Sequence, residues 1–260
     1  MGGQSLPLSA AQSGIWMGQQ LAPTSPAYNM GQFVEIDGPI DPVLFDRALR
    51  HAIQEAECLL VRFEDGPEGP RQVFVGQDAL EMDMIDFRAG ADPRADSRAW
   101  MMADLLRPMN LTADRLIKFA LLRVGDATYR FYCRVHHIVF DAYSGALLTM
   151  RMAEIYTAFV RGEPCGVSPF GSLRGLIDDD AAYRASPDYA EDRDYWLARA
   201  DDPHGALSLS ARSPKVPIHI LRRSTYLPPE ESDLVRAAAR TMKTSVAGLL
   251  IAAAAVYLSK

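Results

Sequence analysis

Apolar residues recur in this chain at two spacings, every three to four residues in some stretches and every second residue in others. The first spacing marks helices with one buried stripe and the second marks strands. Ser9 can cap a helix over 10–21, with Ile15 and Trp16 on its apolar side, and Ala22-Pro-Thr-Ser-Pro26 stops it. Gln32 to Ile36 alternates as a strand. Asp41-Pro42 opens a helix whose Leu44, Phe45, Ala48, Leu49, Ala52, Ile53 and Ala56 form a stripe. Leu59 to Phe63 and Gln72 to Val75 read as a hairpin around Gly66-Pro-Glu-Gly69. Asp92-Pro93 opens another helix, carrying Trp100, Met101, Leu105 and Leu106. Ile117 to Val124 and Thr128 to His136 form a second hairpin turning at Gly125-Asp126, and a helix follows from Ser144 to about Phe159. The Pro- and Gly-containing connection from Gly162 to Gly171 marks a lobe boundary. Helices over 173–184 and 189–198, a strand over 216–226, and helices over 229–242 and 245–258 complete the reading. Val246 to Leu258 is too short to span a bilayer and reads as a buried helix. Hairpins and long helices interleave, so the expected class is α+β with a mostly antiparallel sheet. A chain that halts at Lys260, straight after a helix, is expected to be part of a larger protein.

The alternation over 128–136 sorts its side chains. Tyr129, Phe131, Cys133 and Val135 share one face, and Arg130, Tyr132, Arg134 and His136 share the other. If the strand stays extended, His137 faces away from His136, so the two imidazoles cannot readily serve one site. Asp141 follows four residues after His137. An imidazole with an ordinary pKa of ~6.5 can take a proton from an attacking amine or hydroxyl at neutral pH. The same spacing also fits two strand-end histidines, one buried and satisfied and the other solvated.

Composition narrows the classes. With 260 residues, 48% of them hydrophobic, there is ample material for a core, and a net charge of -6 argues against a nucleic-acid surface. Cys58, Cys133 and Cys165 are far apart and odd in number, which points to a reducing, cytoplasmic setting, and Cys133 falls on the apolar face of its strand. The N-terminus lacks the segments of a signal peptide. No metal site is expected, because adjacent histidines alternate faces and His51, His204 and His219 are scattered. There is neither a G-x-S-x-G elbow nor a glycine-rich phosphate loop. Asp178-Asp179-Asp180 reads as the solvated face of a helix.

His136-His137-Ile138-Val139-Phe140-Asp141-Ala142 resembles the His-His-x-x-x-Asp-Gly hallmark of the condensation domains of non-ribosomal peptide synthetases. Other segments fall in that family's order. Leu8 to Trp16 resembles its opening Ser-x-Ala-Gln motif in the Gly-Ile-Trp form of enterobactin-type and related starter domains, and Pro26-Ala27-Tyr28-Asn29 suits the same branch. Ala48 to Phe63, Ala181 to Trp196 and Ser245 to Leu258 resemble later segments. The resemblance implies a chloramphenicol-acetyltransferase-like fold of two lobes around a tunnel. Residues 1–170 would be the N-terminal lobe, and 171–260 the connecting helices and the beginning of the C-terminal lobe. It further implies an amide-forming acyltransferase that opens its polypeptide and is weakly active or inactive as this piece alone. Its partners would be donor and acceptor carrier domains with their phosphopantetheine arms and a downstream adenylation domain, with no covalently bound cofactor. Aryl and fatty acyl donors, the latter also as acyl-CoA, both fit. By this likeness His137 is catalytic, as base or as positioning group, His136 and Asp141 hold the loop, and the amide of Ala142 helps bind an oxyanion. Two positions depart from the pattern. Ala142 replaces the motif glycine, and Leu60 stands where an arginine tends to pair with the motif aspartate, so Arg62 or Arg134 is expected beside Asp141 instead. A relative that acylates a hydroxyl or epimerises a carrier-bound residue, and a non-catalytic carrier-recruiting module, are the alternatives.

Overall fold

The computed structural model describes residues 5–75, 81–200 and 225–259. The chain divides into two compact units, Met1–Tyr189 and Ala190–Lys260.

The first unit is organised on β7 (Thr128–His136), the longest strand of a four-stranded sheet together with β2 (Asn29–Asp37). The order is β2-β7-β6-β5, where β6 is Ile117–Arg123 and β5 is Met82–Asp86. β2 and β6 both run antiparallel to β7, whereas β5 is parallel to β6. A second sheet, β1-β4-β3, is antiparallel and joins Ser5–Pro7, Arg71–Phe74 and Val61–Glu64. The expected hairpin is therefore present as β3 and β4. The residues before it, Glu57–Leu60, form a 3-10 turn instead of extending the strand. β1 and β5 escape the pattern, the first because it is three residues long and the second because aspartates interrupt its apolar run.

Local chemistry sets the helix starts. Ser9 and Gln12 form a capping box at α1 (Ala10–Leu21). Asp41 caps α2 (Pro42–Glu55) through the amides of Val43 and Leu44, and Asp92 caps α3 (Pro93–Leu105) through that of Ala95. α4 (Ala142–Arg161) ends at Gly162, whose left-handed φ of 67° suits a residue without Cβ.

Both faces of β7 are buried, not one. Phe131 and Val135 face the main core with Phe45, Leu49 and Ile53 of α2 and Leu148, Met152 and Ile155 of α4. The face carrying Arg130, Tyr132 and Arg134 lies under α3, where Met101, Ala120, Leu122 and Tyr132 form a second cluster. Arg130 is buried there because its guanidinium donates to Glu35 at 3.0 Å, to Ser97 Oγ at 2.7 Å and to the Arg94 carbonyl at 2.8 Å. α2 and α4 are also tied by Arg151, which meets both Glu55 oxygens at 2.7 Å and the Cys165 carbonyl at 2.7 Å. That pair holds the Glu55 carboxyl below its ordinary range. α5 (Leu173–Arg184) adds Leu173 and Ile177 to the main core, and α6 (Pro187–Ala200) follows it.

In the second unit, α7 (Pro229–Thr241) turns into α8 (Val246–Leu258) with an angle of 92° between them. The expected strand over 216–226 falls almost wholly outside the described residues. α8 corrects the expectation of a buried helix. Leu250, Ile251, Val256 and Tyr257 are 54%, 70%, 59% and 68% exposed. A helix apolar on all sides needs cover on all sides, and within its own unit α8 meets α7 and keeps these side chains exposed. Among the described residues, no single helix is long and apolar enough to cross a membrane.

Candidate active site

β7 delivers its last residue, His136, into the interior. The ring is 1% exposed. The Ile138 amide donates to His136 Nδ1 at 3.2 Å, so that nitrogen carries a lone pair and the proton sits on Nε2, which donates to Gln19 Oε1 at 3.2 Å. The Gln19 amide is oriented in turn, since its NH2 donates to the carbonyls of Ala22 and Pro23 at 3.1 Å and of Ser25 at 3.2 Å. Burial, and then the neighbouring His137, push the His136 imidazole down to about 4, so it is neutral at physiological pH.

His137 leaves the sheet. Its amide donates to the Tyr28 carbonyl at 2.8 Å, and the chain turns with the Val139 amide on the His136 carbonyl at 3.2 Å. The ring is turned outward. Its Nδ1 lies 2.8 Å from the Phe140 carbonyl, which can only accept, so Nδ1 bears the proton and Nε2 the lone pair. Neighbouring histidines thus hold opposite tautomers. His137 presents a basic nitrogen while His136 is committed to the interior.

Asp141 follows as the N-cap of α4. Its Oδ1 accepts from the Ser144 amide and the Ser144 hydroxyl, both at 2.7 Å. These two bonds keep the Asp141 carboxyl below its ordinary range. Neither expected arginine reaches it. Arg62 pairs with Glu64 at 2.7 Å, and Arg134 pairs with the buried Asp104 at 3.2 Å and donates to the Asp104 and Arg107 carbonyls. The reason is that Asp141 is exposed, so a cap and solvent satisfy it and no buried countercharge is required. Ala142 opens α4 in ordinary helical geometry, and Lys243 is the one non-glycine residue with positive φ among the described residues. A glycine is not needed at 142 here.

The loop is pinned from behind by Gln12. Its Nε2 donates to the Ile138 carbonyl at 3.2 Å and contacts Gln72 Oε1 at 3.1 Å, while Gln72 returns a bond to Gln12 Oε1 at 3.1 Å and donates to the Pro7 carbonyl at 2.8 Å. Gln12 enters the sequence reading only as the glutamine of the Ser-x-Ala-Gln motif, without a role, and Gln19 does not enter it. A signal existed, because Gln12, Trp16 and Gln19 recur at helical spacing and are the buried residues of α1.

His137 stands on the wall of a cavity of about 560 Å³. Its lining comes from α1, the Ala56–Leu59 segment, the loop from His137 to Asp141, α4 and the Pro169–Leu176 segment. A hollow of similar volume along the outer side of α3, against Arg94 and Arg98, includes none of these residues. Among the described residues no group of three or more His, Cys, Asp or Glu side chains could hold a metal. The arrangement offers one outward-facing base, a helix N-terminus beside it and an apolar chamber, which suits addition of a nucleophile to a carbonyl.

Compared with known families, residues 3–260 match the condensation domain. The chain belongs to the condensation-domain family. Its sequence is 38% identical over 253 residues to the dimodular nonribosomal peptide synthase of Bacillus subtilis (strain 168), covering 97% of this chain and 11% of that protein. Among solved structures it is similar to the first condensation domain of the calcium-dependent antibiotic synthetase, determined with a substrate analogue, with a TM-score of 0.91 and 33% identity. That match covers 98% of this chain and 61% of the other. A mutant starter condensation domain of rhizomide synthetase, determined with C8-CoA, matches with a TM-score of 0.84 and 39% identity over 92% of this chain and 56% of that one. This condensation-domain chain therefore spans little more than half of the solved domains and a small part of the Bacillus synthase. Its fold is α+β, of the two-lobe chloramphenicol-acetyltransferase-like class read from its sequence.

Proposed function

We propose that this chain is the histidine-bearing part of a domain that forms amide bonds during non-ribosomal peptide synthesis. The observation that carries this reading is His137 at the cavity wall, with Nδ1–H held by the Phe140 carbonyl and Nε2 left as acceptor. An acceptor amine hydrogen-bonds to Nε2 and attacks the carbonyl carbon of the donor thioester. The C–N bond forms as the carbonyl electrons move to oxygen, and the first amide of α4, at Ala142, is a donor for that oxyanion. Collapse re-forms the carbonyl and breaks the C–S bond. The proton taken by Nε2 passes to the departing thiolate, so the products are an amide and a thiol. His136 and Asp141 contribute position. His136 anchors the strand end, and Asp141 fixes the start of α4.

Residues 1–170 serve as the N-terminal lobe, and 171–260 supply the connecting helices and the beginning of the C-terminal lobe. The donor arrives on the phosphopantetheine arm of a carrier domain or as an acyl-CoA, the ligand class present in the rhizomide starter domain. The acceptor arrives on a second carrier, with an adenylation domain downstream. In a complete condensation domain containing this chain, His137→Ala lowers amide formation with loaded carriers by roughly 10²- to 10⁴-fold while leaving the circular dichroism spectrum unchanged. Wild-type turnover by that variant overturns the assignment. A preference for a model alcohol over a model amine would move the reading to ester formation.

A further inference from the structure

The strand end that carries the histidine pair is held from α3 as well as from α1. Asn29 opens β2 and stands opposite His136 in the β2–β7 pair. It is 6% exposed. Its Nδ2 donates to the Leu105 carbonyl at 2.8 Å and to the Arg107 carbonyl at 2.7 Å. These carbonyls lie at the end of α3, where a helix leaves its last oxygens without partners of its own. Both can only accept, so the carboxamide is fixed with its NH2 toward α3. From β7, Arg134 donates to the Asp104 and Arg107 carbonyls beside it, at 2.8 Å and 3.1 Å. Gly31, two residues on from Asn29, lets α3 come this close, because a Cβ there would stand 3.0 Å from Leu105 Cδ1.

The peptide that joins Tyr28 to Asn29 is bonded on both edges. Its carbonyl, from Tyr28, accepts from the His137 amide at 2.8 Å, and its N–H, from Asn29, donates to the Pro26 carbonyl at 2.9 Å. His137 is thus held at its amide by Tyr28 and at its ring by Phe140. The hold at the amide is only as firm as the Tyr28–Asn29 peptide, and the Asn29 side chain ties that peptide to α3. Asn29 does not line the cavity, so any effect it has on the reaction passes through His137.

We propose that Asn29 is a positioning residue for His137. Its carboxamide, seated against two carbonyls at the end of α3, fixes the Tyr28–Asn29 peptide and with it the point from which the His137 ring reaches the cavity. This rests on the reading of His137 above and adds a residue to it.

The test uses the complete condensation domain containing this chain, with loaded carriers. It reads kcat, KM and the hydrogen-exchange rate of the single His137 backbone amide. Asn29→Ala removes both donated bonds, and Asn29→Ser keeps a shorter donor. Asn29→Asp keeps the shape and sets a carboxylate against the negative end of α3. A misplacement of about 1 Å can cost ~10²-fold in rate, so kcat should fall roughly tenfold or more in Asn29→Ala, further in Asn29→Asp and less in Asn29→Ser, with KM changed by less than about threefold. The His137 amide should exchange roughly tenfold faster in Asn29→Ala. If the buried charge keeps Asn29→Asp from folding, the order of wild type, Ser and Ala decides. Ile53→Val, a core change on α2, lowers the melting temperature without altering kcat, which separates positioning from loss of stability. Wild-type kcat in folded Asn29→Ala, an unchanged His137 amide, or an equal fall in kcat in Ile53→Val overturns the proposal. The condensation reading is tested apart. Wild-type turnover by His137→Ala removes that reading, while the exchange rates still show whether Asn29 holds the peptide.

Discussion

His136 and His137 are joined by one peptide bond, yet they occupy two different regions of the molecule. His136 ends a strand whose neighbours bury it, keeps its proton on Nε2 for Gln19, and is held neutral by burial. His137 begins a turn, keeps its proton on Nδ1 for Phe140, and leaves Nε2 for whatever enters the cavity. The side-chain chemistry is identical. The difference is made by which backbone group, a donating amide or an accepting carbonyl, lies against Nδ1 of each ring. Tautomer choice is thus a property of the turn, and the turn commits one histidine to the interior and leaves its neighbour's Nε2 at the cavity.

The sharpest way to break this contrast is to exchange the losses. His137→Ala should cost roughly 10²- to 10⁴-fold in amide formation, the range for a positioned acid–base group, with an unchanged melting temperature. If stability falls and rate does not, the two roles are reversed. His136 should fail in the opposite currency. Its pKa is about 4 in the folded chain against an ordinary 6.5, so the unfolded chain binds the proton first. Its stabilising contribution is complete above pH ~6.5 and is lost as pH falls toward about 4, a change of about 3 kcal/mol. Urea unfolding at pH 7 and pH 5 should show that slope, and His136→Gln should flatten it. Gln19→Leu should cost ~1–3 kcal/mol by leaving the buried His136 N–H unpaired, measured by the same unfolding curves at pH 7. Asp141→Ala removes the α4 cap and should cost ~1 kcal/mol. Ala142→Gly should change stability by less than ~1 kcal/mol and leave the rate within a few-fold, since position 142 is exposed and helical. A large gain in rate from that glycine would mean that the missing motif residue matters after all.

What could be read in advance was what is local. The caps at Ser9, Asp41 and Asp92 act within three residues of themselves, and their helices begin where expected. Alternation along β7 separated its two sets of side chains correctly. It did not reveal that α3 would cover the polar set, because arginine and tyrosine are buried only when partners such as Glu35, Ser97 and Asp104 come together from distant segments. The supports of the histidine loop are likewise remote in sequence. Gln19 lies 117 residues from His136, and Gln12 lies 126 residues from Ile138. The expected arginine partner for Asp141 failed for a related reason. Whether a carboxylate needs a countercharge depends on its burial, and a residue at a helix start can be solvated and capped at once. α8 shows the limit from the other side. Its composition demands cover, but composition cannot say which part of a fold provides it.

The Phe140 carbonyl that orients His137 is a main-chain atom. Every amino acid placed at position 140 brings the same oxygen, so no single side-chain exchange there can delete the group that fixes the His137 ring. Mutation can reach it only by deforming the turn, through the Gln12 amide on Ile138, the Tyr28 carbonyl on His137 or the cap at Asp141. The three residues between the histidine pair and the aspartate are therefore free to drift in identity, to suit whatever core lies behind them, at no cost to the imidazole's orientation.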